Sequence, residues 1–193
     1  MKKTLLTLAL VAVTAATFAQ GKISMVNDAN HAVRWGSSLN LKPADIALAG
    51  VNVDGLTPLG ASLSIELWGG VTAGTMTLQQ TTVMSTGGLP GIFGPRNFTS
   101  TLPGGVSAFF QVKVRETAFA TAELAQTNSG YFAFSPVFNF TPSATIAFAN
   151  LVTGGGSTWA AAPLLVTANV PEPTSMALAG IGAAAMVIFR RRK

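Results

Sequence analysis

The chain has 193 residues, no cysteine, a net charge of +5 and a pI near 10.1. That length fits one domain with accessory segments, and the missing cysteine excludes thiol catalysis, Cys-ligated zinc, lipobox-type acylation and a disulfide framework. The basic balance does not mark a nucleic-acid binder: residues 20–169 hold six cations (Lys22, Arg34, Lys42, Arg96, Lys113, Arg115) and six acids (Asp28, Asp45, Asp54, Glu66, Glu116, Glu123), so the excess sits at the two ends.

The first segment, MKKTLLTLALVAVTAATFAQ, opens on Lys2 and Lys3, runs apolar from Leu5 to about Val13 and closes on small residues. Thr17 and Ala19 occupy the −3 and −1 places of a small-x-small site, which predicts a secretory signal over 1–19 cleaved between Ala19 and Gln20. The alternative is an uncleaved anchor, but the apolar stretch is too short, and its end too small and polar, for a spanning helix. An exported domain without disulfides must be held by its core, and about 150 residues suffice for one.

Inside 20–169 alternation dominates over helical periodicity. SAFFQVKVRE places Phe110, Val112 and Val114 on one face and Gln111, Lys113 and Arg115 on the other. ASLSIELWGG repeats the pattern, with Leu63, Ile65 and Leu67 opposed to Ser62, Ser64 and Glu66. Weaker strands are expected over Lys22–Asn27, Thr75–Val83, Arg96–Leu102, Val137–Thr141, Thr145–Asn150 and Leu164–Ala168, separated by Gly/Pro turns such as Gly69-Gly70 and Pro103-Gly104-Gly105. One helical interruption is expected over Ala120–Thr127. The fold class that follows is mainly β: a single antiparallel β-sandwich or jelly-roll-like domain over 20–169 with one short helix, flanked by the signal peptide and a short C-terminal transmembrane helix. Thr153–Asn169 reads as a Gly/Ser/Ala-rich exit from that domain, although Leu164–Val166 can still pair as a last strand.

The tail begins with Val170-Pro171-Glu172-Pro173, continues as an apolar run over Met176–Phe189 and ends in Arg190, Arg191, Arg192 and Lys193. Fourteen residues make a helix of about 21 Å, against a hydrocarbon core of about 30 Å. The terminal cations stay cytoplasmic under the positive-inside rule and leave the domain outside, in agreement with the signal peptide. The two prolines keep the segment around Glu172 extended. This three-part order resembles the PEP-CTERM sorting signal of exported Gram-negative bacterial proteins, over residues 170–193. The resemblance implies an exosortase as partner, transient residence in the inner membrane, cleavage near Pro171-Glu172-Pro173, and an association with exopolysaccharide and biofilm. A plain C-terminal anchor is the alternative. The order of FFQVKVRE, the helical piece and NSGYFAFSPVFNFTP also resembles, in strand texture, the ectodomains of many such proteins.

Catalytic groups are scarce. His31 is the one histidine, no Gly-x-Ser-x-Gly elbow accompanies it, and NDANHAVRW reads as a polar loop around a structural histidine. Glu66 and Glu116 fall on polar sides of strands, where solvated surface acids are the ordinary case rather than a glycosidase pair. Asn27, Asp28 and Asn30, and likewise Asn52 and Asp54, lack the spacing of a calcium loop and read as turns. GGVTAG, Gly69–Gly74, lacks the Gly-Lys-Ser/Thr of a phosphate loop and reads as a turn. Trp35, Trp68, Trp159 and Tyr131 are candidates for stacking on sugars, weighed against burial in the core. The expectation is therefore a non-enzymatic exported surface or matrix protein without catalytic residues, metal site or cofactor. The alternatives are a secreted carbohydrate-binding module and a small secreted hydrolase. An extracellular polysaccharide is a candidate partner; nucleic acid is not.

Overall fold

The computed structural model describes residues 20–54, 62–84, 89–170, 180–182 and 186. The expected signal peptide and most of the tail lie outside these residues. Among the described residues ten strands form: β1 Gln20–Met25, β2 Val33–Trp35, β3 Leu63–Gly70, β4 Thr77–Val83, β5 Arg96–Pro103, β6 Ala108–Glu116, β7 Tyr131–Phe134, β8 Phe138–Phe140, β9 Ala149–Asn150 and β10 Leu164–Ala168. Helix α1 is Ala122–Thr127, and short 3-10 turns occupy Ala29–His31, Ser38–Asn40 and Pro43–Leu48.

The strands make two sheets, one in the order β5-β1-β9 and one of seven strands in the order β2-β10-β7-β6-β3-β4, with β8 also paired to β6. The expected all-antiparallel sandwich is corrected here. β9 runs parallel to β1, and β10 runs parallel to β2 while pairing antiparallel to β7. Parallel pairs arise because both terminal strands insert beside strands laid down far away in sequence, where no hairpin dictates direction.

β3 and β6 form the spine. Their register sets Ile65 against Val114, Leu67 against Val112 and Gly69 against Phe110. Ile65, Leu67, Phe110, Val112 and Val114 are wholly buried on the inner face. Gly69 is required there, since a Cβ would lie 2.6 Å from the Phe110 ring. Trp35, Tyr131, Ile23, Met25, Phe93, Phe140 and Val166 complete the same core.

Several expectations shift in detail. The alternation of β3 and β6, and the span of β10, are as the sequence predicts. Thr145–Asn150 yields only the two residues of β9, and β2 and β7 add strands beyond those that alternation predicts. HAVRW is not a polar loop, because Val33 and Trp35 face the core across Leu164 and Val166. Residues 153–163 are not a free exit: the Thr141 amide donates to Gly155, the Thr158 amide donates to Asn139, and Trp159 is buried. Gly155 can take this place because its φ is +58°.

The topology gives the domain two distinct ends. At one end β3 leads into residues 71–76, β5 into residues 104–107, and Lys22 bridges to Ser143, so Gln20 and residues 141–148 gather there. At the other end, the parallel pairing of β2 and β10 sets residues 37–48 beside residues 169–170, and the β6–β7 crossover carrying α1 joins them.

A polar latch ties that second end together. The Tyr131 hydroxyl donates a short hydrogen bond to Asp45 Oδ2 and accepts one from the Lys42 amide (3.3 Å). Lys42 Nζ lies 4.6 Å from the Tyr131 ring centroid and 2.8 Å from Glu116 Oε2, which also accepts from the Tyr131 amide. Burial, with the Asp45 carboxylate at its hydroxyl, pushes the Tyr131 phenol above its ordinary range, so it stays neutral. Asp45 Oδ1 is buried with no hydrogen-bond partner among the described residues, so its carboxylate depends on Tyr131. Tyr131→Phe is expected to cost about 1–3 kcal/mol, read as a lower urea midpoint; an unchanged midpoint would show that the latch contributes nothing.

Candidate functional site

The expected sorting residues begin where β10 ends. Asn169 Nδ2 donates to the Gln126 carbonyl of α1 at 2.8 Å. The Val170 amide donates to Ala168 O at 3.0 Å, and the Val170 side chain packs against the core. Pro171 is therefore covalently next to a residue of the folded domain. Pro171, Glu172, Pro173, Arg190, Arg191, Arg192, Lys193 and Ala19 lie outside the described residues, while Gln20 opens β1 opposite Pro103. Residues 180–182 and 186 are helical, with Ile181 and Met186 exposed. Among the described residues no helix is long and apolar enough to cross a membrane.

The outer face of the β3–β6 pair concentrates the charged and aromatic side chains. Glu66 stands directly across from Lys113, and Trp68 from Gln111. The contacts nevertheless run diagonally, as long side chains on a sheet allow. Arg115 Nε donates to Glu66 Oε1 at 2.6 Å, and Trp68 Nε1 donates to Glu66 Oε2 at 2.9 Å. Lys113 Nζ lies 4.3 Å from the Trp68 ring centroid and 2.6 Å from Glu123 Oε1 on α1. Arg115 also donates to the Phe119 carbonyl in the crossover. The surface-acid expectation for Glu66 is thus overturned, since only 3 % of the residue is exposed. Glu116 is likewise largely buried and committed to Lys42 and the Tyr131 amide. Pairing with a cation is what permits these carboxylates to leave water.

The remaining aromatics are placed inward. Trp35 is buried with its ring edge-on to Tyr131, at 4.9 Å between centroids. Trp159 stacks on Phe138 at 5.2 Å and is tilted against His31 at 4.6 Å. It also borders an open cavity of about 240 Å³, lined in part by Phe134, Pro136 and Leu165. Trp68 is half-buried beneath Lys113. Trp35 and Tyr131 thus meet only inside the core, and among the described residues Trp68 and Trp159 lie apart from them and from each other's contacts.

His31 is a buried residue held by its neighbours. Its Nδ1 lies 2.6 Å from Asp28 Oδ1, and its Nε2 lies 3.3 Å from the Trp159 carbonyl. Asp28 caps the first 3-10 turn by accepting from the amides of Asn30 and His31, as the turn expectation required. Asn27 bonds the carbonyls of His31 and Gly91 and the amide of Phe93. Asn52 accepts from Arg34 Nε and donates to the Pro90 carbonyl. Among the described residues no group of three or more His, Asp or Glu side chains could hold a metal ion. The contacts that matter here, Lys113 over Trp68 and Asn169 on Gln126, depend on strand register and on the placement of α1. Alternation alone does not reveal either.

The hydrogen bond from His31 holds the Asp28 carboxyl below its ordinary range. Burial raises the Glu123 carboxyl, but the Lys113 ammonium outweighs it and leaves the group lowered. Both carboxyls titrate lower in the folded chain than in the unfolded one. Their stabilisation is therefore present above about pH 4–5 and is lost as pH falls through the lowered values. The urea midpoint should decline below about pH 4, and Asp28→Asn should flatten that decline; a midpoint that rises on acidification would contradict this. Removing the Glu66 carboxylate in Glu66→Ala should cost about 3 kcal/mol by leaving Arg115 unpaired. The double variant Glu66→Leu/Arg115→Met should recover most of that loss in urea unfolding, whereas a purely additive double variant would deny the coupling.

Comparison with known proteins bears on the tail. No curated protein and no solved structure matches the chain. Residues 169–193 match the family model described as the PEP-CTERM protein-sorting motif. The match begins at Asn169, the residue that ties the end of β10 to α1. The domain thus runs directly into a PEP-CTERM sorting motif, the mark of an exported protein held transiently at the membrane and processed by an exosortase.

Proposed function

We propose that the mature chain is a non-enzymatic protein of the cell surface or extracellular matrix, resident in exopolysaccharide or biofilm after exosortase has removed its tail. The observation that carries this reading is the sorting motif over 169–193, joined without a spacer to a folded domain. The commitments of the ionisable groups support it. His31, Glu66 and Glu116 spend their polar atoms on Asp28, Arg115, Trp68 and Lys42. The domain outside the sorting segments is neutral, so a charged polymer would meet no field of one sign.

A carbohydrate-binding module is the second reading, favoured by the cavity beside Trp159. Its size of about 240 Å³ suits at most a small part of a glycan chain. A glycan array probed with purified protein separates the two, since retention lost in Trp159→Ala would favour the module.

Processing is tested in the native host. The apolar run is about 6–9 Å shorter than a comfortable span, and a Pro-x-Pro sequence ahead of it disfavours helix, as a site gripped by a protease requires. Mass spectrometry of surface protein should find a C-terminus near Val170–Pro173, and Met176–Lys193 should be missing. Neutralising Arg190, Arg191, Arg192 and Lys193 should impair membrane retention and processing while the urea midpoint stays unchanged. Recovery of full-length tail from the surface would favour permanent anchoring instead.

A further inference from the structure

Val170 is packed on the core, and the apolar run begins at Met176, so five residues connect the domain to the membrane-held segment. From Val170 to Met176 there are six Cα–Cα steps, so even fully extended the two lie no more than about 22 Å apart. The headgroup layer of one leaflet takes up about 5–7 Å of that distance. While the tail is in the membrane, the end of the domain around Val170 cannot leave the vicinity of the lipid.

The elements gathered at that end are residues 37–48 and the crossover with α1. They expose apolar side chains: Leu39 at 86 %, Ile46 at 47 % and Leu124 at 47 %. Leu39 sits in the short turn Ser38–Asn40, which packs against the turn carrying Ile46. The charges nearby are paired, Lys42 with Glu116 and Glu123 with Lys113. Single exposed leucines need no explanation by themselves. Here the tether supplies one, because these residues are held at a lipid surface by a covalent leash shorter than the domain.

We infer that, before exosortase cleavage, the end formed by residues 37–48 and α1 rests on the outer surface of the bilayer, with Leu39 entering the headgroup layer. This rests on the sorting reading, in which the tail holds the chain in the membrane. The opposite end then faces away from the lipid. It exposes apolar side chains too, Ile146, Val71 and Val106 among them, so the tether at Val170 and not exposure decides which end meets the lipid. Strand β6, nine residues at about 3.3 Å each, separates the two ends by roughly 30 Å. Orientation of this kind presents Val170 and the peptide bonds after it at the membrane surface, where a membrane-embedded protease works.

The absence of cysteine allows a direct test. Leu39→Cys, Ile46→Cys and Ile146→Cys chains running from Gln20 to Lys193, the form left after signal removal, are labelled with an environment-sensitive fluorophore. Each is reconstituted into phosphatidylethanolamine/phosphatidylglycerol vesicles without exosortase, with and without doxyl-labelled lipid. The expected result is a blue-shifted emission at Leu39 and Ile46, with quenching several-fold stronger than at Ile146. Flotation of the same vesicles reports tail insertion independently. A chain that floats while Leu39 and Ile146 are quenched alike overturns the inference alone. A chain that does not float overturns the anchored reading and the inference with it.

Discussion

The insertion of β10 between β2 and β7 is the constraint on which the rest of the domain depends. Its five residues supply Leu164, Val166 and Ala168 to the core. They also fix where everything around them can go. Pairing parallel to β2 puts Trp35 beside Val166, and pairing to β7 puts Tyr131 beside Ala168. Those two rings then meet edge to face, and the Tyr131 hydroxyl can reach Asp45. Without β10, β2 would have no partner in the large sheet, and the segment after it would lose its seat at the exit end.

This strand is also the last piece of the domain to leave the ribosome or a translocation channel. β1, the first strand, is likewise interior, lying between β5 and β9. Both sheets are therefore closed by pairings between residues far apart in sequence, such as β1 with β9 and β2 with β10. Such pairings carry a large loop-closure entropy and form slowly. The core cannot be completed until residue 168 has emerged, and the sorting tail follows immediately. Folding and membrane capture thus fall at the same point of the chain.

The sequence made the spine legible because β3 and β6 alternate strictly, and a period of two survives any tertiary context. The span of β10 was legible for the same reason. β2 was hidden because three residues are too few to show a period, and its neighbours Asn27, Asp28 and Asn30 are turn formers. Parallel pairing was invisible, since direction between distant strands leaves no mark in composition. The burial of Glu66 has a more specific cause. Alternation assigns it correctly to the outer face, but α1 and its crossover cover part of that face, and Arg115 and Trp68 close over the carboxylate. The sorting motif needed no fold at all, since it is read as a short linear pattern.

The folded domain continues to the edge of the sorting motif, with β10 as an integral strand rather than a linker. Amide hydrogen exchange on the folded protein measures this directly. The amides of Leu164, Val166 and Ala168 are expected to exchange as slowly as those of β6, through the same global opening. Exchange of residues 164–168 at free-chain rates while β6 stays protected would contradict it, and would return this segment to the role of a flexible exit.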